Sequence, residues 1–133
     1  DLNHHGTLFA GKMAEWFVES SFIAAAGLYG EPSNIVCIKI HGMKFSIPVN
    51  RGDLLFIYSK AVYTGITSIT VYTYSTINNE KIIITEGYVS FVCVDHEGKK
   101  MPHNLVIPPP ENEDEARQRE IAEKLVLIKD QLC

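Results

Sequence analysis

The chemistry of this chain starts in its first residues, Asp1-Leu2-Asn3-His4-His5-Gly6-Thr7-Leu8-Phe9-Ala10-Gly11. They are polar and turn-rich, and they lead into an apolar helical pattern from Phe9 to about Leu28. A glycine-bearing loop delivered onto a helix start brings free backbone N–H groups together with the positive end of the helix dipole. That combination can hold the oxyanion formed when a carbonyl is attacked. It also serves as an ordinary helix entrance, with Asn3 as the cap and Gly6 freeing the backbone. On physical grounds alone the ordinary entrance is the commoner of the two.

Attack on a carbonyl also needs a base or a nucleophile. Glu15 and Glu19 stand on the helix, on one face with Lys12, Trp16 and Ile23. As surface acids near Lys12 they need no further role. The five histidines, His4, His5, His41, His96 and His103, show no ligand spacing, and no cysteine or acid completes a set. No metal site is therefore expected. Cys37 and Cys93 fall inside strand patterns and read as buried structural thiols. With Cys133 the count is odd and fits no disulfide framework, so reduced thiols of a cytoplasmic protein are the simplest reading. Neither a Gly-x-Ser-x-Gly elbow nor a phosphate loop occurs.

The elements that must position these residues follow from pattern. In the first helix Ala10, Ala14, Val18, Ser21 and Ala25 form a stripe of small residues, suited to close approach to a sheet. Gly27, Gly30 and Pro32 end it. Strands are expected over 35–47, 53–63, 66–77 and 81–94, with a turn at Asn78-Asn79 and hairpin-like connections. Asp95-His96-Glu97-Gly98 reads as a tight turn, and Leu105 to Ile107 as a short last strand. Pro108-Pro109-Pro110 breaks the sheet. A charged helix from Glu113 to Leu132 then carries a narrow apolar stripe of Ile121, Leu125, Ile128 and Leu132, suited to its own domain or to another subunit. Helix, strands and terminal helix together give an α+β class with an antiparallel sheet.

Composition sets outer limits. The 133 residues fit one domain, with 46% apolar and 21% charged residues. Sixteen acids against 12 bases give a charge of −4. No dense basic patch appears, which argues against nucleic acid. No apolar run is long enough to span a bilayer, and no signal peptide is visible. The chain starts at Asp1 rather than Met, which leaves open what precedes it.

The opening segment resembles the signature of the acyl-CoA thioesterase branch of the hotdog family, Asp-x-Asn-x-x-Gly-x-x-Phe-Gly-Gly. Asp1, Asn3, Gly6, Phe9 and Gly11 stand in register, and Trp16 where the family often has Trp. The likeness continues through Gly42-Met43-Lys44-Phe45, Pro48-Val49, Gly52-Asp53, Gly65-Ile66-Thr67-Ser68, Thr85-Glu86 and Phe91-Val92-Cys93-Val94-Asp95 before Gly98. It covers residues 1–107, a hotdog domain, with 108–133 as a proline-rich break and terminal helix.

The resemblance implies a long central helix wrapped by a curved antiparallel sheet, whose first family strand would lie upstream of Asp1. It implies homo-oligomers, as dimers or trimers of dimers joined sheet edge to sheet edge, with active sites between subunits. It implies acyl-CoA as substrate and partner, with no cofactor and no membrane. Backbone N–H groups of Ala10 and Gly11 would form the oxyanion site, and Asn3 would orient the thioester or the water. Gly65, Thr67 and Ser68 would lie along the CoA moiety, with Arg51, Lys60, Lys99 and Lys100 as nearby charge. The acyl chain would pass Met13, Trp16 and Phe17.

One departure matters. The family's catalytic carboxylate falls eight residues after the first Gly of the pair. Here Ala10 replaces that Gly, and the acid position holds Val18, which is neither base nor nucleophile. Glu19 is the nearest acid and the preferred base; Glu15 and Asp1 are weaker candidates. The alternative is a hotdog module that binds acyl-CoA without catalysis, for which Val18 is the argument. A hotdog dehydratase would need a His-Glu pair, and the residues around His4 and His5 do not resemble it.

Overall fold

The computed structural model describes residues 10–45, 52–78 and 82–132. Helix α1 spans Ala10–Tyr29. Gly30 closes it at φ 87°, its N–H bonding Ala26 O at 2.7 Å, and Pro32 opens a short 3-10 turn. Strands β1 (Ile35–Phe45), β2 (Leu55–Thr64), β3 (Ser68–Ile77) and β4 (Thr85–Cys93) follow, then helix α2 (Glu113–Leu132). The sheet is antiparallel in the order β1-β4-β3-β2. Hairpins join β2 to β3 and β3 to β4. The first connection is not a hairpin: β1 pairs with β4, from Ile35 opposite Cys93 to Phe45 opposite Thr85.

Period-two alternation divides the sheet into two covered faces. On the inner face Ile69, Val71, Val89, Phe91 and Cys93 pack with Phe17 and Ala25 of α1. The buried stripe of α1 is therefore Met13, Phe17, Ser21 and Ala25, four residues apart. The expected stripe shared only Ser21 and Ala25 with it, because large side chains at 13 and 17 fill the space that small ones were thought to leave. A polar seam crosses this core. Ser20 Oγ, Ser59 Oγ, Thr73 Oγ1 and Ser21 Oγ form a chain with 2.7 Å between each, and Ser21 Oγ donates to Phe17 O at 2.9 Å. Every hydroxyl in it is satisfied within the protein.

On the outer face α2 packs across β2 and β3, with Ala122 fully buried beside Val62 and Tyr72. Its buried residue here is Ala122, while Ile121 of the expected stripe is 38% exposed and borders the tyrosines. The side chains of Ile128 and Leu132 lie outside the described residues. Tyr58, Tyr74, Tyr72 and Tyr88 form a ladder across three strands, with centroid separations of 4.9, 5.6 and 5.0 Å.

The strand expected over 105–107 is absent. His103 Nδ1 takes the N–H of Leu105, and Asn104 adopts φ 57°, which turns the chain before the prolines. The Asp95 turn forms as expected, its carboxylate accepting the N–H groups of Glu97 and Lys99. Among the described residues no helix is long and apolar enough to cross a membrane.

Candidate active site

Helix α1 begins at Ala10, so Ala10 and Gly11 belong to the first turn, where backbone N–H groups have no partner within the helix. Asn3 and Asp1 lie outside the described residues. Further along, Glu15, Glu19 and Ile23 follow one exposed ridge. Lys12 Nζ stands 3.8 Å from Glu15 and 5.9 Å from the ring centre of Trp16, which is half-buried. Met13 and Phe17 are interior: Met13 packs with Ile84, Leu55 and Ile77, and Phe17 belongs to the main core. An acyl channel along Met13 and Phe17 would therefore have to open the core.

One open space beside α1 lies on its other flank. Val18, Glu19, Phe22, Ile23, Cys37 and Phe91 line a cavity of about 320 Å³ between α1 and the β1–β4 pair. Its walls are apolar except for Glu19 and the Cys37 thiol. Cys37, expected as a buried thiol, is exposed because β1 is an edge strand; partial desolvation still raises its thiol above the ordinary pKa, against a smaller opposing effect of a backbone hydrogen bond from Lys39. It stays a thiol at neutral pH and is a poor nucleophile there. Glu19 is the one carboxylate in this wall. Sequence reasoning missed Cys37 and Phe91 as neighbours of Glu19, because only the return of β1 to β4 brings them together.

Gly65, Thr67 and Ser68 form the connection from β2 to β3, outside the lining of that cavity. Here Gly65 N–H donates to Ser68 O at 3.1 Å, and a Cβ on Gly65 would stand 2.7 Å from Ser68 Oγ. Thr67 O accepts the N–H of Cys93 at 2.8 Å, while Ile66 is 78% exposed at the tip. Among the described residues no group of histidines, cysteines and acids could hold a metal ion.

No family model matches the chain. Solved structures do. An acyl-CoA hydrolase from Bacillus cereus is 30% identical, with a TM-score of 0.83 over 98% of this chain and 78% of that one. The chain belongs to the hotdog-fold acyl-CoA thioesterase family. A hexameric acyl-CoA thioesterase solved without ligand is 29% identical to this thioesterase-family chain, with a TM-score of 0.84 over 98% of it and 84% of that chain. An acyl-CoA hydrolase from Staphylococcus aureus, solved with butyryl coenzyme A and coenzyme A, is 26% identical, with a TM-score of 0.83 over 98% and 77%. That enzyme was also solved with alanine in place of an Asn and of an Asp fifteen positions further on. Fifteen positions beyond Asn3 in this hotdog chain stands Val18.

Proposed function

We propose that this protein hydrolyses acyl-CoA to the free acid and CoA, with Glu19 as the general base. The observation that carries the reading is the single carboxylate of Glu19 in the wall of an apolar cavity between α1 and β1. Glu19 takes a proton from water as the water oxygen attacks the thioester carbonyl. The carbonyl oxygen becomes an oxyanion, held by backbone N–H groups at Ala10 and Gly11, and Asn3 orients the water or the carbonyl. Collapse of the tetrahedral intermediate breaks the C–S bond and releases CoA as a thiolate, which takes up a proton from solvent. The acyl chain lies against Val18, Phe22, Ile23 and Phe91, and the CoA moiety runs along Gly65, Thr67 and Ser68. No cofactor takes part, and the cytoplasm is the compartment that fits three thiols with no disulfide pattern.

The site takes two copies of the chain. Gly11 and Glu19 are eight residues apart on one helix, a rise of about 12 Å. One thioester cannot touch both ends of that span. The exposed β1, with Val36, Ile38 and Ile40 all more than a third exposed, supports pairing with a second copy along this strand. A hexameric structural relative supports a homo-oligomer.

The test is thiol release from a panel of acyl-CoA thioesters by the native protein and by Glu19→Gln. Loss of the base should lower kcat by about 100-fold or more while KM changes little. A second reading, binding without catalysis, is favoured by Val18 alone. Calorimetric CoA binding with no thiol release from any member of the panel would establish it instead.

A further inference from the structure

We infer that His103 is a positioning residue for the CoA-binding turn at 65–68, fixing that turn from the far side of the chain. The inference rests on the reading of this turn as the CoA contact. His103 is 8% exposed, and both of its ring nitrogens are committed. Nε2 lies 2.9 Å from Ser68 O, a carbonyl that can only accept, so Nε2 carries the proton. Nδ1 lies 2.9 Å from Leu105 N, whose N–H can only donate, so Nδ1 is the acceptor. The ring is thus a neutral imidazole in one tautomer. The backbone N–H of the same residue reaches Ile66 O at 3.2 Å.

Together with Cys93 N–H on Thr67 O and Gly65 N–H on Ser68 O, these bonds engage all three carbonyls of residues 66–68. Two of the three are held by His103. A turn with an exposed tip and a tethered backbone is a preorganised surface, and preorganisation raises affinity by removing an ordering cost at binding. No atom of His103 needs to touch the ligand.

His103→Asn and His103→Gln separate the two ring contacts. Asparagine keeps an acceptor for the N–H two residues on, as in an Asx turn, and loses the reach to Ser68 O. Glutamine keeps a donor at the reach of Nε2. The variants are compared on an acyl-CoA and on the N-acetylcysteamine thioester of the same acid, with CoA binding measured by calorimetry. His103→Asn should raise KM for acyl-CoA and the Kd of CoA by about fivefold, the loss of one hydrogen bond, with kcat unchanged. Its kcat/KM on the short thioester should match the native value, and His103→Gln should recover most of the acyl-CoA affinity.

Equal losses on both substrates would overturn the inference in favour of a merely structural role. So would an unchanged Kd for CoA in both variants. If His103→Asn does not fold, the glutamine variant decides, since native-like CoA affinity is then required of it. A native protein that handles the short thioester as well as acyl-CoA, and binds no CoA, would sink the underlying reading of the turn. A native preference for CoA that both variants retain would sink only the role of His103.

Discussion

Val18 and Glu19 are one helical step apart, a rotation of about 100°, yet both border the same cavity. Val18 is half-buried and Glu19 exposed, so position 18 lies closer to the wall and position 19 closer to the mouth. Sequence spacing showed that the acid was displaced from its family position. It did not show that the two positions share a space, because Cys37 and Phe91 on the opposite wall come from strands far along the chain. This geometry predicts that a carboxylate at either position serves. Val18→Asp in the Glu19→Gln background should raise kcat at least about tenfold over Glu19→Gln alone, within the range of a general base. Steady-state thiol release measures it. A double variant no faster than Glu19→Gln would mean that water is not held between these two positions.

At the scale of elements, the two helices and the four long strands were readable from period and from glycine and proline punctuation, and α2 matched to the residue, but the short strand expected at 105–107 did not form. Contacts between elements were not readable, since they depend on volume and register. The clearest case is where α1 crosses the sheet. Strand β1 shifts register between Ile40 and Met43, with Gly42 at φ 95°. The shift drives the Gly42 carbonyl onto Gly87 of β4, and a Cβ added at Gly87 would collide with that oxygen and stand 3.1 Å from Phe17 Cζ. The sequence shows Gly87 only as a glycine inside a strand. The structure shows a three-element contact that backbone atoms cannot relax. Gly87→Ala should therefore destabilise the fold by about 3 kcal/mol, the upper range of overpacking, as read by urea denaturation. A loss below about 0.5 kcal/mol would show that β1 moves freely over β4.

At the scale of the whole molecule, the two helices give the two faces of the sheet different chemistry. The outer face answers to alkali. Burial, then the hydrogen bond and charge of Glu86, raise the Tyr72 phenol well above the ordinary tyrosine range. Burial and the charge of Glu86 push Tyr88 up to about 12, with Arg117 opposing. A folded-state pKa above the unfolded value of about 10 gives stability that is complete below pH 10 and is lost as pH rises towards 12. Tyrosinate absorbance should therefore show two phenols titrating late, together with loss of α2 packing; six phenols titrating together near pH 10 in folded protein would contradict it. On the proposed site the inner face answers to assembly, because a span of about 12 Å between Gly11 and Glu19 calls for two copies to complete it. Proline is tolerated in the first helical turn but lacks an N–H, so Gly11→Pro should remove an oxyanion donor without breaking α1. Glu19→Gln and Gly11→Pro should each be nearly inactive alone. In a mixed dimer one site carries both defects and the other carries neither. Random co-expression puts half of the chains in such dimers, so about a quarter of native activity should return. Mixed preparations no more active than either variant alone would place acid and oxyanion donors in the same subunit, and the shared site would have to be abandoned.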